Sequence, residues 1–356
     1  MLNNFTFFQN ITSHFWLKFT ICLVFSYILS SLSIKIFLKI VNNKSICRQP
    51  IRKDGPQTHI IAKKNTPTFG GIFIVLATII ATLFFIECRK SFYIWPVILV
   101  FTTFAVIGFI DDFLKVFYKN SKGFRGSIKL IIQFLIIGAT YVWLGQIDAI
   151  HNNARVFLPI RNGISIGVGV FIYIIFVNFV IVGTANAVNL TDGLDGLVSM
   201  PAIINLICLA LLIYFASNHN FAVQFHIPYI KNAAELRLFC AALIGAILGF
   251  LQFNYKPARI FMGDVGSLAI GSVLGLIAVI IKQEFIFFII SLLFAIEACS
   301  VILQVGSYKL RKKRIFLMAP IHHHFEKMGW VENKVVKIFW LFSLVCAVCG
   351  MLVVIL

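Results

Sequence analysis

The chain has 356 residues, 60% of them hydrophobic and only 12% charged, with a mean hydropathy of +0.95. A soluble domain carries about a quarter charged residues, so this balance excludes one. The net charge of +18 then points to anionic lipid and phosphate partners rather than to nucleic acid.

Windows of about 20 apolar residues recur, each long enough to cross a hydrocarbon core of roughly 30 Å. The alternating pattern of a membrane barrel is missing, so the backbone must satisfy its hydrogen bonds within helices. In chain order, ten spans are expected near 16–41, 69–87, 92–111, 128–146, 163–184, 197–216, 236–253, 265–281, 285–305 and 335–356. They make one all-α, polytopic membrane domain over residues 1–356. The first span is too long for a signal peptide and lacks a small-residue cleavage site. Only Lys282, Gln283 and Glu284 separate the eighth span from the ninth, a thin hairpin.

Basic residues set the expected orientation. The loops near 42–68, 112–129, 185–196, 254–264 and 306–334 hold twenty Lys and Arg, and the opposite loops hold six. The first set is therefore expected in the cytoplasm, with both termini outside. The eight cysteines are scattered, and the Cys346–Cys349 CxxC lies in the apolar final helix. They read as packing residues rather than redox or metal groups.

Aspartate is scarce, with seven residues in the chain, yet five of them fall in three places: Asp111 and Asp112, Asp192 and Asp195, and Asp264. All three places lie at the cytoplasmic ends of spans three, five and eight. The run His322, His323 and His324 in APIHHHFEKMGW falls in the last cytoplasmic loop. Each Asp taken singly could cap a helix, and Asn189, Thr191 and Asp192 are all good capping types. Five carboxylates converging with a triple histidine on the basic side point instead to a functional site.

Carboxylates at a water boundary without a cysteine cluster suit a hard, oxygen-seeking cation such as Mg²⁺. Lys63, Lys64, Lys115, Lys122, Arg125 and Lys129 could neutralise phosphate oxygens. Gly193, Gly196, Gly263 and Gly266 permit close backbone approach, and a helix starting after Asp264 would offer free N–H groups to an anion. Phosphoryl transfer needs these parts: a metal, cations for the developing charge, and a base or nucleophile in line. Three consecutive histidines on one helix cannot all face one ion, so a closed zinc site is disfavoured.

The stretches GPQTH, TPTFGG, FIDDFLK, GTANAVNLTDGLDGL, FMGDVGSLAIG, SVILQVGSYKLRKKRIF and APIHHHFEKMGW resemble the bacterial phospho-N-acetylmuramoyl-pentapeptide transferases. The resemblance runs from about residue 15 to the C-terminus. The DD, NLTDGLDG and GD elements are shared with the wider polyprenyl-phosphate N-acetylhexosamine-1-phosphate transferases, whereas TPTFGG and PIHHHFE are specific to the muramoyl-pentapeptide branch. It implies a ten-span enzyme of peptidoglycan synthesis in the bacterial inner membrane, with a cytoplasmic cleft. The enzyme would transfer phospho-N-acetylmuramoyl-pentapeptide from its uridine nucleotide to undecaprenyl phosphate, giving lipid I and UMP, with Mg²⁺ required and a homodimer as the common assembly.

By position, Asp264 looks like the Mg²⁺ ligand and Asp111, with Asp112 beside it, like the base for the lipid phosphate. Asp192, Gly193, Leu194 and Asp195 sit where the family shapes its nucleotide cleft, and Phe261 where an aromatic stacks on uracil. Asn186 and Asn254 are similar polar contacts. Lys63, Thr68, Lys115 and Lys129 match the substrate-facing positions, and His322, His323 and His324 match the loop facing the sugar diphosphate. The sequence IIAKKN before TPTFGG is one residue longer than usual, which leaves Lys63 and Lys64 as alternatives, and Phe69 stands where Met is usual. Two rivals remain: a sister transferase using UDP-N-acetylglucosamine, and a secondary transporter. A transporter would place acids near the midplane, where only Glu297 lies, read here as a buried, hydrogen-bonded carboxyl.

Overall fold

The computed structural model describes residues 15–41, 66–87, 92–118, 123–147, 154–158 and 164–356. Apolar periodicity becomes helix wherever a window is long enough, giving α1 (Phe15–Val41), α2 (Gly70–Phe85), α3 (Ile94–Phe117), α4 (Gly126–Ile147) and α5 (Val170–Thr191). The chain continues through α6 (Ser199–Ala216), α7 (His219–Gln224), α8 (Leu236–Asn254) and α9 (Gly263–Ile280). It ends with α10 (Glu284–Ile290), α11 (Leu292–Arg311), α12 (Ile321–Lys327) and α13 (Glu332–Ile355). Every expected span corresponds to a helix, and among the described residues nine helices are long and apolar enough to cross a membrane. Helix α2, with 16 residues, is the shorter tenth. A two-stranded antiparallel hairpin, β1 (Arg155–Phe157) with β2 (Ser165–Gly167), pairs Val156 with Ile166.

Several boundaries differ from the sequence reading: residues 165–167, expected within the fifth span, form β2, so that α5 starts at Val170, and α11 runs to Arg311 rather than 305. Helix α3 continues past residue 111 to Phe117, because Lys115 pairs with Asp111 one turn back and Phe113 and Phe117 keep an apolar face. Helix α5 runs to Thr191 rather than 184, since Asn186 and Thr191 satisfy their polar groups on carbonyls four residues earlier. The ninth span breaks at Ser291 into α10 and α11.

Helices α8 and α9 form the buried centre, and glycine lets their neighbours come close. A Cβ on Gly245 or Gly249 of α8 would collide with the α1 backbone at Leu23 and Tyr27. One on Gly271 of α9 would meet Ala185 Cα at 2.6 Å, and one on Gly275 would meet Ile181 Cα at 2.9 Å. Both pairs have the four-residue small-residue spacing of tightly packed membrane helices. A second, smaller apolar cluster lies apart from this centre, joining Leu194, Leu197, Leu293, Val335, Val336 and Phe339. It seats the loop between α5 and α6 on α11, α12 and α13. At the far end of the bundle, a cavity of about 220 Å³ opens between the hairpin, the segment after α7 and the C-terminus.

Candidate active site

The site is assembled at one end of the bundle, where α3 and α5 finish and α2, α4 and α9 begin. Asp111 and Asp112 lie in the last two turns of α3, both buried. Asp264 opens α9 with a side chain only 16% exposed. One oxygen from each of the three carboxylates falls within 4.8 Å of the others. Two ammonium groups hold them together: Lys129 Nζ donates to Asp264 Oδ2 at 2.9 Å, and Lys115 Nζ to the same oxygen at 3.3 Å. Lys115 also pairs with Asp111 and stands 3.8 Å from Asp112 Oδ1.

Each carboxylate is further fixed by a neutral donor. The Phe124 amide donates to Asp111 Oδ1 at 2.7 Å. Gly123 makes this approach possible, with φ of +55° and no room for a Cβ beside Asp111. The Val265 amide, in the first turn of α9, donates to Asp112 Oδ2 at 3.3 Å. The free N–H expected at this helix start is thus answered by Asp112, an anion already in the protein. Asn189 Nδ2 donates to Asp264 Oδ1 and to Ser267 Oγ, both at 2.8 Å.

Two loops frame the cluster. The TPTFGG segment lies along FMGD, with Phe261 N–H donating to Pro67 O at 2.9 Å and Gly70 N–H to Phe261 O at 2.8 Å. Phe69 has φ of 78°, a left-handed turn before α2 that brings Gly71 against Gly266. The NLTDGLDG segment is tied to the loop after α8: Asn254 Oδ1 accepts from Gly196 N at 2.9 Å, and Asp195 Oδ2 accepts from Ala258 N at 3.0 Å. Glu332 at the start of α13 accepts from Asp195 N at 3.0 Å and pairs with Lys256 at 2.9 Å.

Three carboxylates supplied from two helices, with two lysines among them, make an all-oxygen donor set beside cations at one end of a bundle of apolar helices. Residues 94–282, which contain the whole cluster, match glycosyl transferase family 4. A curated relative from Francisella philomiragia subsp. philomiragia, named phospho-N-acetylmuramoyl-pentapeptide-transferase, is 47% identical over 309 residues, covering 86% of this chain and 84% of its own. A relative of the same name from Vesicomyosocius okutanii subsp. Calyptogena okutanii is 45% identical over 317 residues, covering 89% and 87%. The chain belongs to this transferase family.

For a member of the family, the residues expected from sequence divide into three groups. Asp111, Asp112, Asp264, Lys115 and Lys129 converge as described, and Thr68 stands against Gly263 at the edge of the cluster, fully buried. Asn186 lies one turn before Asn189 on α5 and donates to Gln133 Oε1 at 3.0 Å, while Phe261 and Asp192 are partly exposed. Others support loops from beneath. Leu194 is packed in the second apolar cluster, and Asn254 uses both ends of its amide, donating to Ile260 O at 2.9 Å. The histidines diverge: His322 Nδ1 faces Glu297 Oε1 at 3.1 Å, His323 Nδ1 faces Glu326 Oε2 at 2.7 Å, and His324 Nδ1 accepts from Leu317 N at 3.1 Å. Lys63, Lys64 and Lys122 lie outside the described residues.

Asn189, Gln133 and Glu332 were not singled out from sequence. Asn189 had a readable signal, one turn after Asn186 on a helix whose apolar run had ended. Gln133 is fully buried at the α4–α5 contact, and Glu332 acts on a residue 137 positions away, so neither had one.

Proposed function

We propose that this protein transfers phospho-N-acetylmuramoyl-pentapeptide from its UDP-linked donor to undecaprenyl phosphate, giving lipid I and UMP. The observation that carries the reading is the joint placement of Asp111, Asp112 and Asp264 with Lys115 and Lys129 at one end of the apolar bundle. A lipid phosphate presented by the bilayer and a water-soluble nucleotide can meet only at such a boundary. The twenty basic residues expected on this side support a site facing the cytoplasm, on the positive-inside argument.

In the reaction, an oxygen of the lipid phosphate forms a bond to the β-phosphorus of the donor. The bond from that phosphorus to the bridging oxygen breaks, and its electron pair leaves with UMP. Asp111 is positioned to take the proton of a monoprotonated lipid phosphate. The Phe124 amide and Lys115 hold its carboxylate on the face toward Asp264. Lys115 and Lys129 stabilise charge on the transferring phosphoryl oxygens, and Phe261 lies where a flat base can stack. The donor set fits Mg²⁺: Asp264, with Asp111 and Asp112 in reach, would hold it, and when bound it neutralises the diphosphate.

The experiment uses purified protein in detergent with undecaprenyl phosphate, Mg²⁺ and radiolabelled UDP-N-acetylmuramoyl-pentapeptide. Label in the lipid phase with stoichiometric UMP is expected. Transfer from UDP-N-acetylglucosamine but not from this donor would overturn the donor assignment.

A further inference from the structure

Glu297 and His322 form a buried pair that the reaction scheme does not use. Glu297 lies within α11 and His322 is the second residue of α12, and both are fully buried. His322 Nδ1 lies 3.1 Å from Glu297 Oε1. With Glu297 as the acceptor, this contact takes a proton on Nδ1, and Nε2 faces away from the carboxyl. Nε2 points at Gly193: a Cβ built there would come within 2.3 Å of Nε2 and 2.9 Å of Cε1. The imidazole therefore fills the space that a side chain at 193 would need. Around it, Ile321 and Phe325 of α12 pack into the apolar cluster that holds Leu194 and Leu197.

His322 Nε2 and Glu297 Oε2 are both buried without a hydrogen-bond partner. Two orphaned polar atoms in a sealed position are costly, and a native protein keeps such groups where they serve a site. The nearest site element is the loop they support. Gly193 stands between Asp192 and Asp195, and Asp195 is bonded in turn to the loop that leads to Phe261 and Asp264.

We propose that Glu297 is a positioning residue of the transferase. By accepting a hydrogen bond from Nδ1 it fixes both the plane and the tautomer of His322, and the fixed ring sets the height of Gly193 and so the place of Asp192 and of the Asp195 tie to the loop that leads to Phe261 and Asp264. Glu297 touches neither substrate. The arrangement matches the carboxylate–histidine pairs that orient metal-binding imidazoles, whose loss lowers affinity or activity by about 10- to 100-fold. Here the group being oriented is a loop rather than an ion.

The proposal rests on the transferase reading, and its test separates the two. In protein labelled with ¹⁵N-histidine, with the His322→Ala variant as the assignment control, His322 is expected to show a protonated Nδ1 and an unprotonated Nε2. The opposite tautomer overturns the proposal, and this readout needs neither activity nor a Glu297 variant. In transfer assays, Glu297→Gln is expected to raise KM for the nucleotide donor about tenfold and leave KM for the polyprenyl phosphate within twofold. In a His322→Ala background the same change is expected to add nothing, and Gly193→Ala, harmful alone, to add little once the ring is gone. Equal rises in both KM values, or losses that multiply in the double variants, would show a general structural role and overturn it. A wild-type protein inactive on this donor would sink the transferase reading while the tautomer measurement still stood.

Discussion

A buried charged cluster sits at each end of α9, about 27 Å apart at 1.5 Å per residue, and the two differ in balance and in access. At the N-terminal end, three carboxylates meet two ammonium groups, and Asp264 and Lys115 keep 16% and 17% of their side chains exposed. At the C-terminal end, Lys282 in the turn before α10 donates to Tyr173 Oη at 2.8 Å, and Tyr173 donates to Glu284 Oε1 at 2.8 Å. There one cation faces one anion, and all three groups are sealed. Burial pushes the Lys282 ammonium down to about 8 and the Glu284 carboxyl up to about 7, each shift opposed by the charge of the other group. A closed triad with one cation and one anion calls for no further ion, although Glu284 Oε2 is buried without a hydrogen-bond partner. A surplus carboxylate in a low-dielectric setting persists where a cation from solvent completes it. The first arrangement reads as a site and the second as a fastening.

The comparison can be broken at either end. The largest expected effect is at Asp264: Asp264→Asn should lower transfer about a thousandfold or more and flatten its Mg²⁺ dependence, read as labelled lipid across a Mg²⁺ titration. Transfer that keeps its wild-type Mg²⁺ profile would remove Asp264 from the metal. Next, Asp111→Asn should lower kcat about 10²- to 10⁴-fold and leave nucleotide retention on the detergent-purified protein within twofold. Normal turnover there would end its assignment as the base.

At the far end the order of effects should reverse. Lys282→Ala leaves Glu284 buried without its cation, which should cost about 3–5 kcal/mol of stability, visible as a lower melting temperature in detergent. Turnover per folded molecule should be unchanged, and a loss of turnover at full stability would make the far cluster functional as well. The smallest effect is expected at Phe69→Met in TPTFGG, a volume-tolerant change that should shift stability by less than about 1.5 kcal/mol. The Phe69 ring packs on Phe109 at 5.7 Å between centroids, and a melting curve resolves whether that contact contributes more.

Hydropathy located the helices but not their polar ends. The apolar windows stop at Asp111 and near residue 184, whereas α3 and α5 continue for about two further turns because their acids and amides find partners inside the bundle. The aspartates were legible because acids are so rare in this chain that each one stands out. Their supporting groups were less so: Asn189 stands out only by its place one turn after Asn186, and Gln133 and Glu332 are ordinary polar residues until the fold sets them against Asn186 and Asp195. The triple histidine was read as one motif, yet its rings take three separate partners, since successive residues of α12 point about 100° apart.

By itself, the amino-acid sequence determined the solvent, the places of the apolar helices and three of the acids that gather at one end, because transfer free energy and residue scarcity are properties of composition and order. Only the tertiary structure decided which lysines face which carboxylates, that Asp112 takes the first free amide of α9, and that Glu297 holds His322 beneath Gly193. Apart from Lys115 with Asp111 and Asp112 on α3, those pairings join residues from 25 to 153 positions apart. They depend on how closely glycine-lined helices approach one another, and the packing of the whole bundle sets that distance.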